Sequence, residues 1–179
     1  MENLKLVVPS HEDLIYRQRL LSYPLTMSFN RGLDLDFAGY DKKTGCLDFS
    51  PSKWSRWYNT WINNEPDRYY AYLGVESYQN PIGEVALRFD QANNTHIISL
   101  IIEAKHRGKG YGEQGLHLLL EKAFYDLDLE KVADQFPESR TASYRLFKQM
   151  GFEIVKTKDD ILCFELLRDN YPGKKNFHI

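Results

Sequence analysis

The sequence predicts an α/β chain of the α+β kind, a single domain on a mixed, mostly antiparallel, twisted sheet of about seven strands flanked by helices. Three observations predict it. Residues 69–76, 82–89 and 96–102 are β-branched and aromatic runs joined by short turn-rich links, Gln79-Asn80-Pro81 and Asp90-Gln91-Ala92-Asn93-Asn94, which favour antiparallel pairing. The apolar run Ile97-Ile98-Ser99-Leu100-Ile101-Ile102 leads through a short basic connector into Arg107-Gly108-Lys109-Gly110-Tyr111-Gly112, a glycine-rich turn that opens a helix. A helix over 139–150 then stops at Gly151, a natural residue for the left-handed position after a helix, and two strands, 152–156 and 161–167, close the chain.

The remaining elements follow in order. Residues 4–8 read as a first strand. Ser10 is a good N-cap with Asp13 in the acid position of a capping box, so a helix is expected to run to Leu21 and end before Pro24. Residues 25–49, punctuated by Gly32, Gly39 and Gly45, read mostly as loop. Ser50-Pro51 reads as N-cap and first-turn proline of a helix to Asn63, with Trp54, Trp57, Tyr58 and Trp61 on one face. The helix opening near Gly110 carries Leu116, Leu119, Leu120, Ala123, Phe124 and Leu127 on its apolar side, and 131–134 reads as a short strand. Arg17, Arg19, Arg31 and Arg56 are scattered and read as solvated charges. The polar tail from Arg168 reads as loosely held.

The 179 residues are enough for a sizeable core, and 42% hydrophobic with 27% charged residues is ordinary for a soluble globular chain. A net charge of −2 gives no reason to expect nucleic acid as a partner. Cys46 and Cys163 are far apart, which argues against a disulfide framework or a zinc site and fits a reducing, cytoplasmic setting. The N-terminus lacks the charged-then-apolar pattern of a signal peptide, so none is expected. No apolar run approaches the roughly 18 residues of a membrane span, and no membrane partner is expected. His11, His106, His117 and His178 lack metal-ligand spacing, so no metal is expected.

A strand, a glycine turn and a helix N-terminus together make an anion site. Unpaired N–H groups and the helix dipole face the ligand, and glycine lets the backbone approach it. Lys105, His106, Arg107 and Lys109 surround this turn, so a strongly anionic ligand is expected. Gly110-Tyr111-Gly112-Glu113-Gln114-Gly115 satisfies G-x-G-x-x-G, with Asp134 about 20 residues on, as a dinucleotide-binding domain requires. Against that reading, residues 103–109 separate the strand from the first glycine, the preceding strands form a meander, and only one strand–helix–strand unit is visible. A P-loop is excluded because no Gly-Lys-Ser/Thr follows.

Arg107, Gly110 and Gly112 also satisfy R-x-x-G-x-G. With Ser143-Tyr144-Arg145-Leu146-Phe147-Lys148-Gln149-Met150-Gly151-Phe152 further on, and with the order of elements from Tyr69 to Leu167, the chain resembles the GNAT N-acetyltransferase superfamily. Its motif pattern is closest to the branch that acetylates ribosomal proteins and small amines. The resemblance implies a sheet splayed at the strand before the glycine turn. It divides the single domain into a variable helical acceptor-side region (1–68), an acyl-CoA-binding core (69–167) and a tail (168–179). It implies acetyl-CoA as cosubstrate, acetyl transfer to a primary amine by direct attack on the thioester, and no metal. Some members of the branch are dimers, so a homodimer is allowed by the resemblance alone.

Carried over residue by residue, the resemblance implies that main-chain N–H groups of Arg107, Gly108, Lys109, Gly110, Tyr111 and Gly112 hold the pyrophosphate. Main-chain groups of Leu100 and Ile102 take the pantetheine arm, with the Ile102 N–H polarising the thioester carbonyl. Ser143 and Phe147 line the same site. His96 and Glu84 are the candidate general bases. Each also has a plainer reading, His96 as a surface residue near a turn and Glu84 as a solvated strand residue. The tryptophan stripe reads first as core packing, and alternatively as the lining of an acceptor pocket. Two positions depart from the family pattern: Phe147 stands where many members carry a tyrosine acid, and Arg140 where an asparagine is frequent. The departure at Phe147 keeps a second reading open, a CoA-binding sensor or interaction module without turnover. Charges over residues 30–70 balance at six acidic and six basic, which does not favour a polycationic acceptor.

Overall fold

The computed structural model describes residues 3–75 and 80–173. Its centre is one seven-stranded sheet in the order β1-β2-β3-β4-β5-β7-β6. The strands are β1 (Leu4–Val7), β2 (Arg68–Val75), β3 (Gly83–Asp90), β4 (Thr95–Ile102), β5 (Lys131–Pro137), β6 (Glu153–Lys158) and β7 (Ile161–Leu167). Every neighbouring pair is antiparallel except β4 with β5. The expected meander and closing hairpin are therefore present. β5 runs three residues further than 131–134 because Gln135, Phe136 and Pro137 continue to pair with Cys163, Leu162 and Ile161 of β7. Glu76 and Gln79, which the sequence places at a strand end and in a link, lie outside the described residues.

Helices cover both faces, and each face has its own core. On one face α4 (Tyr111–Glu121), which continues into a π-helical turn (Lys122–Asp126), and α5 (Thr141–Gln149) pack over Val85, Leu87, Ile98, Val132, Phe136 and Phe164. On the other, α1 (Leu14–Ser22), α2 (Pro24–Met27) and α3 (Trp54–Trp61) pack over Tyr70, Tyr72 and Ile101. Period-2 alternation explains the division: Ile98 and Ile102 of β4 belong to the first core and Ile101 to the second.

Several local expectations are corrected. α1 begins only at Leu14, although the expected capping-box bond forms, the Asp13 carboxylate accepting from the Ser10 N–H (2.8 Å) and hydroxyl (2.7 Å). Pro51 opens a 3-10 turn (Pro51–Lys53) before the α-helical part of the tryptophan segment. The tail is held beyond Arg168: Tyr171 is buried in the first core and its hydroxyl lies 2.6 Å from His117 Nδ1. Among the described residues, no helix is long and apolar enough to cross a membrane.

Candidate active site

β4 pairs with β3 along its whole length, from Asp90↔Thr95 to Gly83↔Ile102. Its other edge pairs with β5 at only two positions, His96↔Val132 and Ile97↔Ala133. Beyond Ile97 the strands diverge and leave a cleft of about 500 Å³, lined by Ile98, Leu100, Ile102, Asp134, Phe136 and Phe147 among others. This is the splay the resemblance implies.

Register decides which backbone groups face the cleft. The Glu103 N–H donates to the Ile82 carbonyl (2.9 Å), so odd-numbered β4 residues bond to β3. Leu100 and Ile102 therefore turn their N–H and C=O toward the gap. The strand offers polar main-chain atoms while its side chains stay wholly apolar.

At the open end stands the glycine turn. Gly108 and Gly110 have φ of +73° and +78°, conformations in which other residues are strained, and Gly110 is the N-cap of α4 with no side-chain cap. No side chain therefore caps the first turn of α4. Gly112 lines the cleft, and a Cβ added there meets only Leu146 Cδ2 at 3.9 Å. Gly115 has another purpose: a Cβ there would come within 2.9 Å of Leu73 Cδ1 and 3.1 Å of Leu100 Cδ1, so its absence lets α4 lie close on the sheet.

The Arg107 side chain turns away from the turn and fastens the α1–α2 side of the molecule. Nε donates to the Ile102 carbonyl (3.1 Å), Nη1 to the Leu25 carbonyl (3.3 Å) and Nη2 to the Thr26 carbonyl. The Ala104 N–H adds a bond to Thr26 Oγ1 (3.1 Å). Arg140, the N-cap residue of α5, reaches the same segment from the opposite wall, donating to the Phe29 carbonyl (2.9 Å) with its guanidinium over the Phe29 ring (4.9 Å). Residues 25–30 are strapped across the mouth of the cleft by two arginines.

The structure divides the sequence candidates. Leu100, Ile102, Arg107, Gly112, Ser143 and Phe147 all line the cleft, with Gly108, Lys109, Gly110 and Tyr111 in or beside the turn. Tyr111 is buried and packs against His106. Phe147 is buried too, against Phe136, Phe152 and Phe164.

His96 is not brought there. It is buried at the closed end of β4, about 20 Å along the strand from Ile102. Its Nε2 lies 3.0 Å from the Pro66 carbonyl, and burial holds its pKa below the usual value. The reading of His96 as a surface residue is corrected.

Glu84 is directly across from Ile101, and it is buried rather than solvated. Its carboxylate accepts hydrogen bonds from Arg17 Nη1 and the Tyr70 hydroxyl. Arg17 is likewise not a solvated charge. Its side chain is 15% exposed, and its guanidinium lies over Trp57 (4.7 Å), Phe49 (5.1 Å) and Tyr70 (5.1 Å). The tryptophan stripe packs over this pair, with Trp57 4.6 Å from the Tyr70 ring.

Asp134 is the cleft residue that sequence reasoning places in another role. It is the first β5 residue past the last ladder pair, on the face shared by Val132 and Phe136, and it lines the cleft. Burial pushes its carboxyl up to about 7, against the opposing pull of the Gln135 N–H (2.8 Å) and the charges of Arg140 and Arg88. Its signal in the sequence is a carboxylate at a position where the alternation of Val132 and Phe136 calls for an apolar residue, which the G-x-G-x-x-G spacing draws toward a ribose.

Three comparisons bear on this arrangement. A model of the acetyltransferase (GNAT) family matches residues 39–152. The chain is 25% identical over 123 residues to the SPbeta prophage-derived uncharacterized N-acetyltransferase YokL of Bacillus subtilis, spanning 62% of this chain and 70% of that one. Its fold matches that of the spermidine N-acetyltransferase of Vibrio cholerae in complex with CoA and spermine, with a TM-score of 0.73 at 18% identity over 94% of this chain and 98% of that one. Mutant forms of the spermidine/spermine N-acetyltransferase from Vibrio cholerae superpose with a TM-score of 0.71 at 18% identity over 94% and 96% of the two chains. With a family match across most of the chain, and a sheet that opens between β4 and β5, this protein belongs to the GNAT acetyltransferase family, whose donor is acetyl-CoA.

Proposed function

We propose that the protein transfers the acetyl group of acetyl-CoA to a primary amine, a small molecule or a protein N-terminus, by direct attack on the thioester. The observation that carries this reading is the one-sided β4 ladder, with the Leu100 and Ile102 main-chain groups turned into a cleft that ends at a helix N-terminus. The pyrophosphate rests on main-chain N–H groups of 108–112, the Arg107 N–H being taken by the Ala104 carbonyl (3.3 Å). The pantetheine arm runs down β4 as a substitute strand. Because the arm enters from the turn, Ile102 meets it first and Leu100 lies deeper. We therefore assign the pantetheine amide to Ile102 and the polarising contact on the thioester carbonyl to Leu100, in place of the Ile102 assignment expected from the sequence.

Glu84 is engaged by Arg17 and Tyr70, and His96 is remote, so neither is positioned to take the amine proton. The acceptor enters as the neutral amine, and bulk water takes the proton it sheds. The acceptor's identity is tested by a free-thiol release assay with acetyl-CoA over a panel of spermidine, spermine, aminoglycosides, free amino acids and short peptides. Thiol release above the acetyl-CoA blank with at least one amine supports the reading. Titration calorimetry with CoA tests the donor half, and no binding at millimolar CoA overturns it.

One observation favours a second reading, a CoA-binding module without turnover: the buried Phe147 ring has no proton to give a leaving thiolate. Micromolar CoA binding with no thiol release across the panel selects it.

A further inference from the structure

We propose that Asp134 is the proton donor to the departing CoA thiolate, the acid that Phe147 does not supply. The inference rests on the acetyl-transfer reading above and extends it to one further catalytic residue.

Among the described residues that line the cleft, the ionisable side chains are Arg107, Arg140 and Asp134. Arginine does not release a proton at working pH, and serine and threonine hydroxyls do not either. Asp134 is left as the one lining side chain able to give a proton near neutrality.

Its position suits the sulfur. The ladder ends at Ile97↔Ala133, so Asp134 and Ile98 are the first residues on the two walls of the opening. An arm anchored at the glycine turn and held at Ile102 and Leu100 points its reactive end at this vertex, with Leu100 only about 7 Å along the strand from Ile98. Alternation puts Asp134 on the Phe136 face, where Phe147 packs 5.0 Å from Phe136. The carboxyl and the ring in the tyrosine's place thus border one space.

The charge facing Asp134 is Arg140 at the start of α5, with a weaker pull from Arg88 on β3, and both favour its ionised form. Burial outweighs them, so near pH 7 a substantial fraction of the carboxyl is protonated and able to donate.

In the transfer, the neutral amine adds to the thioester carbonyl carbon, and the C–S bond breaks with its electron pair leaving on sulfur. The Asp134 carboxyl proton passes to that sulfur and gives the thiol of CoA. The new amide nitrogen releases its extra proton to water, and water returns one to the Asp134 carboxylate.

The test uses CoA itself, so it does not depend on knowing the acceptor. The thiolate absorbance of protein-bound CoA is titrated in the wild type and in Asp134→Asn. A carboxylate beside the sulfur disfavours the thiolate, so the bound thiol should titrate at least half a pH unit lower in Asp134→Asn, with the CoA Kd within about twofold of wild type. Equal thiol titration in two proteins that both bind CoA overturns the inference and leaves the family reading intact. Failure of the wild type to bind CoA overturns both. With an acceptor from the panel, kcat should fall roughly 10- to 100-fold in Asp134→Asn with little change in KM for acetyl-CoA, and the decline of wild-type kcat above neutrality should disappear. An unchanged kcat and pH profile also overturns the proposal. If Asp134→Asn does not fold, Asp134→Ser carries the same two measurements.

Discussion

The two faces of the sheet treat polar groups in opposite ways. On the α4–α5 side, the edge of β4 is left without a strand partner where β5 departs, and no side chain caps the first turn of α4. On the α1–α3 side, the strongest charges consume each other: Arg17, Glu84 and Tyr70 form a closed set under Trp57 and Phe49. Backbone groups can wait unpaired at a ligand site because the sheet and helix geometry holds them in place. A buried carboxylate cannot wait in that way, and it recruits an arginine from another element. The cleft side is thus suited to a ligand of fixed shape, and the α1–α3 face carries a rigid floor whose charge is already neutralised. On the acetyl-transfer reading proposed above, the acceptor is read by groups above that floor.

The largest effect should come from breaking the closed set. Glu84→Ala leaves the Arg17 guanidinium buried without its counter-charge and deprives the Tyr70 hydroxyl of its acceptor. A loss on the order of 3–5 kcal/mol is expected, read as a fall in Tm or in the denaturant midpoint. CoA affinity of the folded fraction should stay within about twofold, because Glu84 bonds across the sheet from the cleft. An unchanged Tm contradicts the buried pair, and a large loss of CoA affinity contradicts the independence of the two faces.

The converse experiment strikes the cleft side alone. Gly112→Asp puts a negative charge at the proposed phosphate site in a position with room for a side chain, so the fold should be unaffected while the CoA Kd rises roughly 100-fold or more. Gly115→Ala, one turn further along the same helix, should do the reverse. Its Cβ crowds Leu73 and Leu100, costing about 1–3 kcal/mol of stability by overpacking. Its CoA Kd should change by no more than a few-fold. If both glycine variants act on the same quantity, the division between ligand site and packing site along α4 is wrong.

The same contrast explains what is legible in the sequence. The cleft is built from backbone, and backbone requirements leave local marks: an apolar strand, glycines at fixed spacing, a helix ended by Gly151. Those marks survive in a single sequence, so the sheet and the turn can be read, and the splay follows only from the family resemblance the marks carry. The Arg17–Glu84 pair joins residues 67 apart in the chain, and nothing local to either announces the other. Arg17 looks like one of four scattered arginines, and Glu84 like the polar half of an alternating strand. His96 misleads through the same limit: its place at the start of β4 is visible, but the end at which β5 departs is a tertiary fact. Tyr171 escapes notice because a polar tail gives no sign that one aromatic returns to the core to meet His117.

A smaller effect concerns the vertex of the cleft. The folded pKa of Asp134, about 7, lies above the roughly 3.9 of an unfolded aspartate. Between these values the folded chain binds more protons than the unfolded one. Stability is therefore lost as pH rises from about 4 to about 7, and the loss persists above. Asparagine cannot ionise. Relative to wild type, Asp134→Asn should gain on the order of 1–3 kcal/mol on going from about pH 4 to about pH 8, measured by urea denaturation at both. An identical difference at the two pH values means that the carboxyl is not held neutral by its surroundings.

The smallest expected effect is at His96, and it separates the two ends of one strand. The closed end of β4 is paired on both edges, and the imidazole is occupied with the Pro66 carbonyl. Burial lowers its folded pKa below the usual 6.5, so the ring is neutral near pH 7 and contributes stability that is lost as pH falls below that value. His96→Gln keeps a donor for the carbonyl but no titrating ring. Stability should fall by about 1 kcal/mol or less near pH 7, and the acid-side loss of stability should be reduced. With an acceptor from the panel, kcat should stay within about twofold and its pH profile should not move. A roughly hundredfold fall in kcat with the profile flattened on its acid limb would place a base at the closed end of the strand, and the acceptor would then have to approach from the side where β4 and β5 are still joined.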